Sequence, residues 1–162
     1  QNLAYKKASL LFQFCASVPA YLAGVDVATF EAFGSLYGIA VQLKSDIRDF
    51  KFDSNDTDKN KLRLEDYYTG QPNLILLLAT KSEKLFGRDK NWLVKTWSNP
   101  LCRNNNRSQK VFSLVQRSGA IKESAEYMLK IKLELESYIA KLPNDELKSY
   151  LTNLVEGVCS VT

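Results

Sequence analysis

A chain of 162 residues that is 45% hydrophobic and 25% charged suits one globular domain with a buried core; this excludes disorder, collagen and disulfide-stapled scaffolds. It contains no histidine, which excludes Ser-His-Asp and Cys-His catalysis, HExxH zinc sites and histidine pH switches. The net charge of +4 comes from 22 basic and 18 acidic residues without a polybasic run, so a nucleic-acid partner is not expected.

Helical periodicity dominates in chain order. Leu3 to about Ala23 carries Leu3, Leu10, Leu11, Phe14, Val18 and Leu22 near helical spacing, and Gly24 is its stop. A second long helix runs from Asp26 or Ala28 to Phe50. Leu36, Ile39, Ala40, Leu43, Ile47 and Phe50 fall on one face, with Lys44 and Arg48 near the opposite one. Lys51 to Lys61 is polar and turn-rich, hence a loop. Its alternating Asp53, Asn55 and Thr57 do not make a calcium loop, because Asp58 replaces the required glycine and Leu64 the required glutamate.

A short helix is predicted over Leu62 to Thr69, a turn at Gly70 to Asn73, and an apolar helix from Leu74 to Phe86. One or two helical turns follow at Asn91 to Trp97, then a loop from Asn99 to Arg107. Ser108 to Arg117 carries Val111, Phe112, Leu114 and Val115, and Gly119 separates it from Ala120 to Leu142. In that long helix Ala125, Met128, Leu129, Leu135 and Ile139 are the inward candidates. Pro143-Asn144 breaks the chain before a last helix, Asp145 to Val161, with Leu147, Leu151, Leu154, Val155 and Val158 on one stripe. No strand alternation, repeat or second domain competes, so the expected fold is an all-α bundle of antiparallel neighbours. The longest strongly apolar run, Leu74 to Ala79, is too short for a transmembrane segment. The opening Gln1 fits a processed start or a position inside a longer protein.

Cys15, Cys102 and Cys159 are odd in number and far apart, with no CxxC. That argues against structural zinc and for three semi-buried thiols in a reducing compartment. More informative is the run from Tyr37 to Asp49. With Gln42 at zero on a helical wheel, Asp46 lies at ~40°, Asp49 at ~−20° and Ser45 at ~−60°. Two carboxylates one turn apart, beside an amide, can hold Mg²⁺, an ion that bridges carboxylates to substrate phosphates. The plainer alternative is an amphipathic helix with acids at its solvent boundary. Phe30, Phe33, Leu36 and Tyr37, like Trp92 and Trp97, are either internal packing or anchors for a partner.

The run GIAVQLKSDIRD, Gly38 to Asp49, resembles GxAFQxxDDxxD, the second aspartate-rich motif of the trans-prenyltransferases, or isoprenyl diphosphate synthases. Lys6-Lys7-Ala8-Ser9-Leu10 resembles the family's Lys-Thr-Ala-x-Leu, and Phe33-Gly34-x-x-Tyr37-Gly38 its FGxxLG. Asn60-Lys61 stands where the family has Gly-Lys. Asp66-Tyr67-x-x-Gly70-Gln71-x-Asn73-Leu74 stands where it has Asp-Leu-x-x-Gly-Lys-x-Thr-Leu-Pro. Val115 to Ala125 and Leu142-Pro143 with Leu147 and Leu151 resemble its C-terminal V-x-x-x-GGI-x-x-A and LPxSxxxxxL. The match covers nearly all of this chain and the C-terminal half of a full family member.

The resemblance implies a helical bundle of the isoprenoid synthase type, with residues 1–162 as the C-terminal part of one prenyltransferase-like domain. It implies a deep cavity in which Mg²⁺ holds allylic and homoallylic diphosphates, and a condensation in which the allylic diphosphate ionises. On that pattern Asp46 and Asp49, with Ser45, are the metal positions, and Lys6, Lys61 and Gln42 the diphosphate-binding ones. Such chemistry suits a chain without histidine, because metal ions and cationic side chains stabilise the departing diphosphate.

The departures cluster at that site. Ser45 stands at the motif's first aspartate, which lowers the motif's formal charge and weakens Mg²⁺ binding. Lys7 replaces a threonine, Gln71 a lysine, Asn73 a threonine and Ile75 a proline. In this the chain is most similar to the non-catalytic small subunits of heteromeric decaprenyl or solanesyl diphosphate synthases, with Lys44-Ser45-Asp46 as the shared run. That likeness implies a regulatory or structural role beside a catalytic prenyl diphosphate synthase subunit, in a mitochondrial complex making the polyprenyl tail of ubiquinone. The cytoplasm is the alternative location. The alternative functions are an active synthase with a relaxed Mg²⁺ site, acting on isoprenyl diphosphates, and a helical interaction module without enzymatic activity.

Overall fold

The computed structural model describes residues 3–50 and 64–160, without the side chains of residues 3–7 and of Asn105. The expected loop from Lys51 to Lys61, with the Lys61 candidate, lies outside the described residues. Among the described residues all regular structure is helical. The helices are α1 (Leu3–Leu22), α2 (Val27–Arg48), α3 (Glu65–Thr69), α4 (Leu74–Lys81), α5 (Gly87–Ser98), α6 (Asn105–Ser118), α7 (Ala120–Ala140) and α8 (Asp145–Cys159). A 3₁₀ turn, Pro100–Cys102, stands between α5 and α6. The chain divides into two compact units, one of Gln1–Lys44 with Ala125–Thr162, the other of Ser45–Ser124.

In the first unit α1 and α2 form an antiparallel hairpin. Gly24 takes φ 66°, and the Val25 N–H closes back onto the Ala20 carbonyl at 3.0 Å, the glycine-terminated stop of a helix. Asp26 then caps α2, its carboxylate accepting the Ala28 N–H at 3.1 Å and the Thr29 hydroxyl at 2.6 Å. The two helices touch through small residues. A methyl at Gly38 would lie 2.7 Å from the Ala8 carbonyl oxygen and 2.9 Å from the Ser9 Cα. One at Gly34 would meet the Phe12 carbonyl and lie 2.9 Å from the Ala16 Cβ. The FGxxYG run is thus a requirement for close backbone approach.

Phe33 stacks on Tyr37, and Phe12 meets Tyr37 edge-on at 5.3 Å. Phe33 is buried, Leu36 and Tyr37 partly so. The Phe33 and Tyr37 rings thus pack within the unit. Burial raises the Tyr37 phenol above its usual pKa, with Cys159 and Tyr150 adding to the effect.

From α7 this unit buries Met128, Ile131, Leu135 and Ile139, and from α8 Leu151, Val155 and Val158. Each such side chain stabilises the fold by about 1.5–3 kcal/mol. Leu129, expected to face inward, is 58% exposed. It lies one position past Met128, about 100° around the helix, and Ile131 takes the inward place instead. Leu154 is likewise exposed beside buried Val155. Lys44 is not idle in water, because its Nζ donates to the Gly157 carbonyl at 2.5 Å. That satisfies an orphan carbonyl in the last turn of α8. The Pro143-Asn144 break is a cap, since the Asn144 side chain accepts the Leu147 N–H at 2.8 Å. Cys15 is exposed, against the expectation of a semi-buried thiol, whereas Cys102 and Cys159 are half-buried.

In the second unit α4 packs against α5 and α6. The core holds Ile47, Phe50, Leu64, Tyr67, Ile75, Leu76, Leu93, Val111, Leu114 and Val115. The α4 helix ends at Lys81, five residues short of the predicted Phe86. There the Ser82 hydroxyl accepts the Lys84 N–H and donates to the Ser118 carbonyl at 2.7 Å. A serine that bonds local backbone competes with helix continuation. Asn91 to Trp97 is one part of the longer α5, and α6 starts inside the expected loop. Lys110 lies 4.1 Å over the Trp92 ring, so that tryptophan is engaged within its own unit. Gly119, at φ 77°, allows α7 to start directly after α6.

Candidate functional site

The aspartate run ends α2, and its carboxylates turn inward. Asp46 is fully buried and Asp49 nearly so, while Ser45 is exposed. Neither acid lies at the solvent boundary that the amphipathic alternative placed it on. A buried carboxylate needs donors. The Asp46 Oδ2 accepts the Leu74 N–H at 2.7 Å, at the first residue of α4. The Asp49 Oδ2 accepts the Asp66 N–H at 3.1 Å, in the first turn of α3. Each acid therefore meets orphan N–H groups at a helix N-terminus, where a negative charge is favoured.

Asn73 joins these two anchor points. Its side-chain oxygen caps α4 by accepting the Leu76 N–H at 3.2 Å, and its Nδ2 donates to the Asp66 Oδ2 at 2.9 Å. Asp46, α4, Asn73, Asp66, α3 and Asp49 thus form one hydrogen-bonded path inside the second unit. Leu64 sits at the turn into α3 with φ 40°, a left-handed conformation rare for a branched residue. Its N–H donates to the Asp49 carbonyl at 3.3 Å, and its side chain is fully buried.

Burial raises the Asp49 carboxyl from the usual 3.8 to about 6. The Asp66 N–H opposes this, and the charges of Asp66, Glu65 and Asp46 add to it.

Sequence spacing does not mark Asp66 and Asn73 as partners of the aspartate run. The available signal was Asn73 directly before the apolar run from Leu74, an N-cap signature. Asn73 and Ile75 also change the meaning of two departures. Asparagine replaces a threonine at a cap that either residue serves, and Ile75 fills a fully buried position in the first turn of α4.

Gln42 is half-buried in the first unit. Lys6 belongs to α1, but its side chain lies outside the described residues, as does all of Lys61. Among the described residues, no group of three or more Asp, Glu or Cys side chains is placed to hold a metal ion. Also among the described residues, no helix is long and apolar enough to cross a membrane.

The described residues form an all-α fold, with a glycine-mediated helix pair in one unit and an aspartate run closing against two helix N-termini in the other. The fold is similar to that of the solved geranylgeranyl pyrophosphate synthase from Lactobacillus brevis ATCC 367, with a TM-score of 0.77 at 21% sequence identity. That likeness covers 96% of this chain and 47% of the solved one, so the chain spans about half the length of the protein it matches. No family model matches the sequence, and no curated protein matches it.

Proposed function

We propose that the chain is a regulatory or structural subunit of a heteromeric long-chain trans-prenyl diphosphate synthase. The observation that carries this is the use made of the aspartate run. Ser45 replaces its first acid, and the two remaining acids are buried and hydrogen-bonded to the starts of α3 and α4. A carboxylate held by backbone donors in the interior is a poorer Mg²⁺ ligand than one open to the ion and its waters. In this reading Mg²⁺ and both isoprenyl diphosphates bind chiefly to a catalytic partner, which this chain stabilises and helps to set product length. The run Lys44-Ser45-Asp46 supports a mitochondrial complex making the polyprenyl tail of ubiquinone. The test is to mix the purified chain with the catalytic synthase. A stable complex with altered product length is expected. Full activity and unchanged chain length of the synthase alone, with no complex, rejects the reading.

The second reading is an active prenyl diphosphate synthase with a relaxed Mg²⁺ site using Asp46, Asp49, Gln42, Lys6 and Lys61. It is favoured by Asn73, which preserves the α4 cap where a family threonine is replaced. Incorporation of radiolabelled isopentenyl diphosphate by this protein alone supports it, and none by a folded sample rejects it.

A further inference from the structure

Charge is unevenly placed along this chain. Nine of its 22 basic residues, but two of its 18 acidic ones, lie between Lys81 and Arg117. That stretch is strongly cationic, and the remainder of the chain is slightly acidic. It spans α5, most of α6 and the turns beside them, all within the second unit.

Packing gathers part of this charge on one surface. On α5, Arg88, Lys90, Asn91, Val94, Lys95 and Ser98 fall within an arc of about 160°. All are exposed except Lys90, which is half-buried. The opposite side gives Leu93 and Thr96 to the core. The single acid of α5, Asp89, lies on that inner side, 3.6 Å from Arg117. Among the described residues Arg88, Lys90 and Lys95 form no ion pair. Lys110 of α6 adds a further base, with its Nζ over the Trp92 ring. Bases grouped in this way without acids between them make a positive surface potential.

Two apolar side chains stand at the ends of α5. Phe86 caps its start and is 76% exposed. The Phe86 carbonyl is fixed by the Asp89 and Lys90 N–H groups, at 2.9 and 3.1 Å. Leu101, in the 3₁₀ turn just past the end of α5, is 90% exposed. Its N–H is held by the Asn99 side chain at 3.0 Å. Both residues are thus presented from anchored backbone, separated by ~18 Å of helix. Val94 lies between them and is 46% exposed.

This arrangement fits one kind of partner. A protein interface has an apolar centre ringed by polar groups, whereas here bases fill the middle and apolar groups the ends. Single-stranded nucleic acid stacks its bases on aromatic rings, a task that Leu101 does not perform. An anionic bilayer accepts both features. Lysine and arginine heads meet its phosphates, while separate apolar side chains enter the acyl boundary.

We propose that the exposed face of α5, with Phe86 and Leu101, attaches the chain peripherally to a bilayer rich in anionic lipid. This rests on the surface of the second unit alone and is independent of both functional readings.

The two tryptophans of the chain, Trp92 and Trp97, both lie on α5 and serve as reporters. The chain is mixed with vesicles of phosphatidylcholine, alone or with phosphatidylglycerol, and followed by co-sedimentation and tryptophan emission. Binding to the phosphatidylglycerol vesicles, a blue shift and release by high salt are expected. Arg88→Gln/Lys90→Gln/Lys95→Gln is expected to weaken binding at least about tenfold. Phe86→Ser/Leu101→Ser is expected to weaken it at least about fivefold and to remove the blue shift. Helical circular dichroism is expected to be kept in both variants. In the first unit Leu10, Leu11, Phe14, Val18, Tyr21 and Leu22 of α1 are exposed as well. Vesicle binding that survives both variants belongs to that other surface and overturns the proposal. Equal binding to phosphatidylcholine alone overturns it, as does binding to neither vesicle. Tighter binding of an oligonucleotide than of the vesicles at equal salt overturns it in favour of nucleic acid.

Discussion

The Asp46 carboxylate accepts the Leu74 backbone N–H at 2.7 Å. An acid near the end of α2 therefore holds the start of α4, across 28 residues of sequence. Removing the carboxylate leaves a buried donor unsatisfied, at a cost of about 1–3 kcal/mol. Asp46→Ala is expected to lose that amount in urea unfolding. Asp46→Asn keeps an oxygen acceptor and is expected to lose less. Equal losses would mean that the negative charge, rather than the hydrogen bond, is what α4 requires.

Asn73 performs two tasks with one side chain, capping α4 and donating to Asp66. Loss of a helix cap costs about 0.5–2 kcal/mol. Asn73→Ala is expected to reach the upper part of that range, because Asp66 loses its donor as well. Asn73→Thr keeps a cap oxygen but not the donation to Asp66. It is expected to fall between alanine and asparagine in thermal unfolding.

Asp49 makes stability depend on pH in an unusual direction. Its folded pKa, about 6, exceeds the usual 3.8 because of burial. Between those values the folded chain holds a proton that the unfolded chain releases, so this group's contribution falls as pH rises. It is complete below about pH 3.8 and lost above about pH 6. A shift of two units corresponds to at most about 3 kcal/mol. Asp49→Asn is expected to be more stable than the parent at pH 7 and to show no gain near pH 4. A gain of the same size at both pH values would assign it to something other than proton release.

Gly38 tests the helix pair. Glycine to alanine inside a helix ordinarily stabilises by about 1 kcal/mol. Here the new methyl would lie 2.7 Å from a backbone oxygen of α1, and overpacking costs about 1–3 kcal/mol. Gly38→Ala is therefore expected to destabilise, as measured by chemical denaturation. Stabilisation would show that α1 and α2 do not approach through this glycine. Gly157, with open space around its Cα, is the control that is expected to gain.

Helix content and most helix positions were legible in the sequence, because apolar periodicity and Gly, Pro and Asn punctuation act within a few residues. Gly24, Asn144 and Gly119 ended or began helices where they were expected to. Helix ends set by distant groups were not legible. Ser82 stops α4 partly through the Ser118 carbonyl, 36 positions away. Leu129 shared the apolar character of Met128, and only packing separated them. At the site, the shared face of Asp46 and Asp49 was visible on a helical wheel. Their burial was not, because it depends on the N-termini of α3 and α4 arriving at those carboxylates.

By itself the sequence determined a helix-dominated chain without histidine, whose motif order resembles that of the trans-prenyltransferases, with Ser45 at the first aspartate position. Those properties are local, being residue identities and spacings along one chain. Tertiary structure alone decided that the remaining aspartates hold helix N-termini and that the apolar face of α1 is left uncovered. Both outcomes depend on which surfaces meet, and a buried charge or an exposed leucine is defined only by what packs beside it.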